Sequence, residues 1–191
     1  MNPTIHQLQE QLGQSVKQPA FKGDAPQAAV ALILHPSPGG LELLFIERSQ
    51  RKGDPWSGHL AFPGGRLEPH DAGPRAAAER ETHEEIGLVI SPHQCLGPLN
   101  PLKGVALPVS VAAFVYAIES PTPFQCSDEV SEVFWTPLSN LQDTARQTKY
   151  VLAQPDGSQS FEALRILPAP RPVLWGITYR FVQQLLGFLK S

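Results

Sequence analysis

Two neighbouring stretches decide the fold of this chain: GGRLEPHD at residues 64–71 and RETHEEIGL at residues 80–88. The first stretch is a loop that begins with two glycines. The second predicts a helix that ends at Gly87, because a glycine commonly terminates a helix in the left-handed conformation. The alanines at 76–78 favour that helix, and Pro74 suits its first turn, where a missing N–H leaves no hydrogen bond unmade. The sequence therefore predicts a glycine loop that leads directly into a helix.

Three glutamates of this predicted helix lie on one face. Glu81 precedes Glu84 by three residues and Glu85 by four, which is the spacing of neighbours on a helix surface. Like charges at these spacings repel each other by roughly a few tenths of a kcal/mol, and Arg80 can neutralise only part of that charge. A hard divalent cation such as Mg²⁺ or Mn²⁺ would neutralise the cluster through oxygen ligands. The alternative is a solvated acidic face, which is the commoner role of glutamate clusters.

The pattern resembles the signature of the Nudix hydrolase family, which ends in Arg-Glu-U-x-Glu-Glu-x-Gly-U, where U is a bulky apolar residue. The matching residues are Gly65, Arg80, Glu81, Glu84, Glu85, Gly87 and Leu88. Asp71 replaces the first glutamate of the signature and is separated from Arg80 by eight residues instead of seven, and Thr82 occupies a bulky apolar position. Asp71 is also placed either to cap the helix or to bond to the loop.

The aspartate and the extra residue resemble the coenzyme A pyrophosphatase subgroup of this family. So do Arg48-Ser49 and the run Phe62-Pro63-Gly64-Gly65, which stand just upstream of the signature. Further along the chain, Asp128-Glu129-Val130 and Trp175-Gly176 are also similar to pieces of that subgroup. The resemblance covers about residues 28–186 and is tight only in the signature.

This resemblance implies an α/β fold, a Nudix-type α/β/α sandwich with a mixed central sheet that includes the loop and helix of the signature. It also implies the roles of four residues. Glu81 and Glu85 would be the main ligands of Mg²⁺ or Mn²⁺, Glu84 would assist them, and Arg80 would orient them. Strands predicted on both sides of the signature, with a helix at each end of the chain, agree with a mixed sheet between helical layers.

A general base is expected from outside the signature, where the acidic cluster Asp128, Glu129 and Glu132 stands at the start of a predicted strand. Alternation along an extended segment would place Glu129 and Glu132 on opposite sides. We favour Glu129 because it belongs to the subgroup-like piece Asp-Glu-Val. The alternative is a solvated loop edge.

Five residues are candidates for contact with the substrate. Gly64 and Gly65 allow a close approach of the backbone to phosphate or metal. Arg48 is suited to a phosphate, although an arginine at a strand end is more often a surface residue. Trp56 could stack on a base or a pantetheine arm, or close its loop against the core. Lys103 precedes a predicted strand and is a candidate phosphate contact.

Length, charge and cysteine content restrict the class of protein. A chain of 191 residues suits one domain, spanning 1–191. The net charge of −3 gives no general attraction for nucleic acid or an anionic membrane, so neither is expected as a partner. Cys95 and Cys126 show no metal-ligand spacing, the N-terminus shows no signal pattern, and no apolar run matches a membrane span. We therefore expect a cytoplasmic location.

Hydrophobic spacing predicts the elements around the signature. An amphipathic helix over about residues 4–16 is expected to pack on the domain or on a second subunit, which leaves a homodimer open, and a polar connector follows at 18–26. A final amphipathic helix is expected from residue 173, with Leu174 on its apolar face. Strands are predicted at 28–34, 41–47, 59–62, 95–99, 105–118 and 128–135, and a hairpin at 150–153 and 160–166 around the pair Asp156-Gly157.

The sequence thus predicts a metal-dependent Nudix hydrolase that cleaves the diphosphate bond of a nucleoside diphosphate linked to another group. The subgroup resemblance implies coenzyme A or its derivatives. Trp56 stands where the subgroup carries a histidine, so nucleotide sugars, ADP-ribose and dinucleotide polyphosphates stay open as substrates. A non-catalytic nucleotide-binding module is the alternative from another class, and it is disfavoured because all three glutamates are present.

Overall fold

The computed structural model describes residues 3–15, 27–54, 56–104, 109–121, 123–154 and 157–189. Its helices are α1 (Pro3–Ser15), α2 (Pro74–Ile86), α3 (Leu138–Gln142) and α4 (Gly176–Leu189). Its strands are β1 (Gln27–Ser37), β2 (Gly40–Arg48), β3 (Leu60–Ala61), β4 (Gly64–Arg66), β5 (Cys95–Lys103), β6 (Ser110–Ala117), β7 (Val130–Pro137), β8 (Gln147–Gln154), β9 (Gly157–Leu164) and β10 (Leu174–Trp175). None of the helices in these ranges is long and apolar enough to cross a membrane.

Seven strands form one mixed sheet. β1 runs parallel to β6, and the other pairs in this sheet are antiparallel. β1 and β2 pair only next to their shared turn, from Leu34 opposite Leu43 to Ser37 opposite Gly40. Beyond that point the two strands separate, so that β4 pairs with the start of β1 and β3 pairs with the end of β2. The glycine stretch of the signature therefore enters the middle of the sheet.

Alternation along β1 builds a hydrophobic core on each face of the sheet. Ala29, Ala31 and Ile33 belong to the core that contains the apolar residues of α2. Leu32 and Leu34 belong to the second core, which holds the apolar residues of α1 and α4. A strand that is buried on both faces lacks polar alternation, as this one does. The predicted α/β/α sandwich with a mixed sheet is confirmed.

The terminal helices have the predicted amphipathic character. Ile5, Leu8 and Leu12 of α1 are 4% exposed or less and pack against the domain's own core. Val16, at the end of the predicted helix, lies outside the described residues. Helix α4 begins at Gly176 instead of 173, because Leu174 pairs in a strand with Leu164.

The second sheet was not predicted as a sheet. β8, β9 and β10 form an antiparallel three-stranded sheet, of which the sequence predicted only the β8–β9 hairpin. β10 is two residues long, too short to show alternation. The prediction that the loop of the signature begins at residues 64 and 65 was also wrong, since both belong to β4. The predicted connector 18–26, the start of the predicted strand at 105–118 and the turn residues 155 and 156 lie outside the described residues.

An arginine joins the second sheet to the central one. Arg171, in the segment between β9 and β10, donates from Nε to Glu47 Oε2 at 3.1 Å and from Nη2 to both Glu47 and Glu132. Glu47 and Glu132 face each other across the β2–β7 ladder. Like charges directly opposite each other destabilise a sheet, so Arg171 offsets a repulsion as well as linking two parts of the fold.

We predict that Arg171→Ala lowers the melting temperature, because it leaves Glu47 and Glu132 opposed without a cation. Adding Glu132→Gln to that variant should recover part of the loss. Thermal unfolding measures both effects. Lys149→Ala is the control, since its ion pair with Glu162 joins side chains that are 66% and 65% exposed and should contribute little. An unchanged melting temperature for Arg171→Ala would contradict the prediction.

Candidate active site

Gly64 allows β4 to lie against β1. Its φ of +147° is a conformation that residues with a Cβ rarely adopt. A Cβ at this position would stand 2.2 Å from the carbonyl oxygen of Ala29 and 2.6 Å from Cα of Val30. Any side chain here would push β4 away from β1, so the position requires glycine.

Gly65 is required for a different reason. A Cβ at this position would stand 2.4 Å from both Cδ and Oε1 of Glu81 and 2.6 Å from its Oε2. The Glu81 carboxylate, whose side chain is 18% exposed, therefore lies directly on the backbone of Gly65. The space that this carboxylate occupies exists only because residue 65 has no side chain.

Glu85 lies one turn after Glu81 on the same face of α2, and its carboxylate is held by Gly64. The residue is 4% exposed, and its Oε2 accepts a hydrogen bond from the N–H of Gly64 at 2.9 Å. Burial raises the pKa of Glu85 to about 8, against the opposing effect of that N–H, and the charge of Glu81 adds to the rise. We call Gly64, Gly65, Glu81 and Glu85 the glycine cradle.

The pKa of Glu81 is also above its usual range. Burial is the main cause, Arg80 opposes it, and the charges of Glu84 and Glu129 reinforce it. The cradle thus holds two poorly solvated carboxylates whose charges disfavour each other. A bound divalent cation would stabilise both ionised forms at once, and carboxylate oxygens are the ligands that Mg²⁺ and Mn²⁺ prefer. The residues present therefore fit such a cation.

Arg80 fixes the acidic groups around the cradle. Nε and Nη2 each donate to one oxygen of Asp71 at 3.1 Å, and Nη1 donates to Glu81 at 3.0 Å and to Glu84 at 2.9 Å. Nη2 also donates to the carbonyl of Arg66 at 3.1 Å. These bonds use all five N–H groups of the guanidinium. Arg80 therefore orients carboxylates and has no donor left for a substrate.

The departures of the signature have local explanations. Both carboxylate oxygens of Asp71 accept hydrogen bonds from Arg80, and this pairing lowers the pKa of Asp71. Asp71 also accepts a hydrogen bond from the N–H of Glu68. It bonds to the loop and does not cap α2, whose N-cap is Gly73. Thr82 is buried at an apolar position because its hydroxyl donates to the carbonyl of Ala78 at 2.7 Å, one turn earlier.

Glu84 differs from the other two glutamates of the helix. Its side chain is 56% exposed and is paired with Arg80. Across the described residues, no three His, Cys, Asp or Glu side chains are grouped so that they could hold one ion. The assisting role of Glu84 at a metal stays a prediction.

Two predicted residues from outside the signature lie near the cradle. The charge of Arg48 favours the ionised form of Glu85, and that of Glu129 disfavours the ionised forms of both Glu81 and Glu85. Arg48 Nη2 binds Asp54 Oδ2 at 2.9 Å, and its buried Nε has no partner within the described ranges. Glu129 lies in the turn that precedes β7.

The other candidates are not brought to the cradle by any described contact. Trp56 joins an aromatic cluster, with ring centroids 5.9 Å from His59 and 6.4 Å from Trp175. Glu132 binds Arg171, as described above. Lys103 ends β5, and its carbonyl accepts a hydrogen bond from Arg180 at 3.1 Å. A groove of about 840 Å³, lined by residues such as Ile5 and Val89, contains none of the cradle residues.

Sequence reasoning missed Arg51 and Asp54. Asp54 binds Arg48, and Arg51 binds Glu129, with Nη1 3.1 Å from Oε1. Arg51 and Glu129 are 78 positions apart. An arginine in a polar loop gives no signal of such a partner, whereas the short interval between Arg48 and Asp54 could have suggested their pairing.

Comparisons with known proteins find relatives of this chain. A model of the NUDIX domain matches residues 25–154. The chain is 34% identical to the mitochondrial coenzyme A diphosphatase NUDT8 of Homo sapiens, over 84% of this chain and 69% of that protein. It is 30% identical to the uncharacterized Nudix hydrolase NudL of Pectobacterium atrosepticum, over 97% of this chain and 92% of that protein.

A solved structure shares the fold. The crystal structure of a MutT/nudix family protein from Enterococcus faecalis matches with a TM-score of 0.60 at 18% identity, over 92% of this chain. The matched part is 65% of the length of that protein. At this identity the similarity concerns the fold, which is the predicted Nudix-type sandwich.

We predict that Gly65→Ala weakens the binding of Mn²⁺ at least about tenfold, because the added methyl group displaces the Glu81 carboxylate that would bind a hard cation. Isothermal titration calorimetry measures the affinity. Gly39→Ala is the matched control, since a Cβ at Gly39 would meet nothing within 4 Å. Equal Mn²⁺ affinity of the Gly65→Ala and Gly39→Ala proteins would contradict the prediction.

Proposed function

The chain belongs to the Nudix family of pyrophosphohydrolases, and we propose that it hydrolyses the diphosphate bond of coenzyme A or its derivatives with a divalent cation bound at Glu81 and Glu85. The proposal rests above all on the glycine cradle. Two carboxylates with raised pKa values lie one helical turn apart against a backbone that has no side chains at that point. Such a pair on a rigid helix is suited to one cation.

Mg²⁺ or Mn²⁺ is the proposed cation. When bound, it would supply positive charge to the phosphate groups and lower the pKa of a water molecule. Arg80 would keep Glu81 in position through a hydrogen bond of 3.0 Å, and the N–H of Gly64 would do the same for Glu85 at 2.9 Å. Preorganised groups of this kind need no rearrangement during the reaction.

Two further residues are assigned roles in this proposal. Arg48 would bind a phosphate oxygen through its guanidinium, whose Nη2 is held by Asp54 at 2.9 Å. Glu129 would accept a proton from the water that attacks phosphorus, while the bridging P–O bond breaks and the leaving phosphate departs. The electrostatic influence of Glu129 on both cradle glutamates supports its place at the reaction centre.

The choice of substrate is supported by the relative named a coenzyme A diphosphatase, at 34% identity, and by Arg48-Ser49 and the run 62–65. The expected products are 3′-phosphoadenosine 5′-phosphate and phosphopantetheine. Trp56 remains a proposed stacking contact for the adenine or the pantetheine arm, next to its packing role in the aromatic cluster. Lys103 has no described contact that supports phosphate binding, and it stays a prediction.

Other substrates and a non-catalytic role are the alternatives that the experiments below test. Nucleotide sugars, ADP-ribose and dinucleotide polyphosphates share the diphosphate bond that the cradle would address. A module that only binds nucleotides does not need the buried carboxylate of Glu85 beside the half-buried carboxylate of Glu81. The cytoplasmic location, the single domain over residues 1–191 and the homodimer stay predictions.

We predict that Glu85→Gln lowers kcat by at least about a hundredfold, because the variant loses the charge that would hold the cation. The metal-free variant should melt at the same temperature as the unmodified protein or higher, since glutamine keeps an acceptor for the Gly64 N–H and replaces a carboxyl group whose ionised form burial disfavours. The increase in melting temperature on adding Mg²⁺ should disappear.

Glu68→Gln is the control for this experiment, because Glu68 is an exposed carboxylate of the preceding loop that pairs with His70. Hydrolysis assays and thermal unfolding, each with Mg²⁺ and with excess EDTA, give the readouts. A fully active Glu85→Gln protein, or turnover that persists in EDTA, would contradict the metal site.

We predict that coenzyme A has the highest kcat/KM in a panel that includes ADP-ribose, UDP-glucose and diadenosine polyphosphates. The reason is that only coenzyme A offers both a 3′-phosphate and a pantetheine arm for recognition. Chromatographic separation and quantification of the nucleotide products, under one buffer, measures the values. A rival that exceeds coenzyme A by about tenfold, equivalent to about 1.4 kcal/mol of transition-state binding, would overturn the assignment.

A further inference from the structure

The loop between β2 and β3 is fastened to the turn that carries Glu129. The N–H of Ser49 donates to the carbonyl of Glu129 at 2.8 Å. The guanidinium of Arg51 spans the same turn, with Nη1 3.1 Å from Glu129 Oε1 and Nη2 2.8 Å from Asp128 Oδ2. One backbone bond and two ion pairs therefore connect segments that are far apart in the sequence.

Arg51 is itself held by its own loop. Its N–H lies 2.7 Å from the hydroxyl oxygen of Ser57, and the same hydroxyl lies 2.7 Å from its carbonyl. The N–H of Asp54 also donates to that carbonyl at 3.2 Å. These bonds fix the backbone of Arg51, and its side chain therefore extends toward Glu129 from a fixed Cα position.

The turn that carries Glu129 is also bound to the helix of the cradle. Two residues before Glu129, the N–H of Ser127 donates to the carbonyl of Glu85 at 2.8 Å. Arg80 has used its five N–H groups elsewhere, and Arg48 is paired with Asp54. Arg51 is the described cation that directly binds Glu129.

We propose that Arg51 is a positioning residue for the hydrolysis: it holds the Glu129 carboxylate by Oε1 next to the glycine cradle, where Glu129 accepts the proton of the attacking water. This inference rests on the proposed function. Arg51 does not touch the substrate in this account and acts only through Glu129. A direct phosphate contact by Arg51 is the rival interpretation.

A double-mutant cycle in the full chain separates the two interpretations. Arg51→Ala should lower kcat at least about tenfold, with KM changed less than about twofold, because a misplaced base slows the proton transfer and leaves binding intact. Glu129→Gln should also lower kcat. The double variant should be no slower than Glu129→Gln alone within about twofold, since residues that act as a unit are not additive.

Two further variants serve as controls. Asp128→Asn removes the second ion pair of Arg51 at a side chain that is 91% exposed, and it should leave kcat unchanged. Arg51→Lys keeps the positive charge and can still donate to Glu129, so it should recover part of the lost kcat. Circular dichroism spectra and melting temperatures of all variants test whether each variant is folded under the assay conditions.

Each result supports or overturns the inference. Multiplicative losses in the double variant, a loss expressed in KM, or a fully active Arg51→Ala or Glu129→Gln protein would overturn it. Turnover of coenzyme A by the unmodified protein and its loss in Glu85→Gln are measured in the same assay. If these two hold while the cycle fails, only the role of Arg51 is wrong; if coenzyme A is not hydrolysed, the cycle is run with the preferred substrate of the panel.

Discussion

The contact between the Glu81 carboxylate and the bare backbone of Gly65 is the constraint on which the site depends. A Cβ at residue 65 would displace that carboxylate from the position it occupies. The backbone of residue 65 lies at this place because β4 enters the sheet beside β1, which the φ of +147° at Gly64 permits. The separation of β1 from β2 provides the space. Sheet topology and the position of the two carboxylates are thus consequences of the same pair of glycines.

Arg80 supplies most of the positive charge around this contact. It donates two hydrogen bonds to Asp71, one to Glu84 and one to Glu81. Glu85 is buried, and its direct partner among the described residues is the N–H of Gly64, so burial raises its pKa to about 8. The protein therefore stabilises the ionised forms of Asp71 and Glu84 better than those of Glu81 and Glu85. This imbalance costs stability in the metal-free protein and is what a bound cation would relieve.

Much of the fold was predictable because local rules and tertiary contacts agree. The helix begins at Pro74 and its C-cap is Gly87, as the proline and glycine rules require. The second sheet escaped prediction because β10 is too short to show a period. The strand at residues 64 and 65 escaped it because a pair of glycines favours a loop. In both cases tertiary pairing decided the structure.

The part of the site that lies on one helix was predictable from the sequence. The contacts between residues that are distant in the sequence were not. Spacing alone brought Glu81 and Glu85 together, but it could not show that Arg80 uses every donor. The pairing of Arg51 with Glu129 depends on two loops that only the folded sheet brings together. Lys103 was chosen for its charge and its place before a strand, and neither feature specifies the direction in which a strand end points.

A crystal structure of the protein grown with Mn²⁺ tests the central claim most directly, because the anomalous signal of manganese locates the ion independently of any assay. The account predicts an anomalous peak between the carboxylates of Glu81 and Glu85, at coordination distance from both, and no such peak in crystals of Glu85→Gln. An anomalous peak elsewhere in crystals of a catalytically active protein, with no ion at the cradle carboxylates, would contradict it.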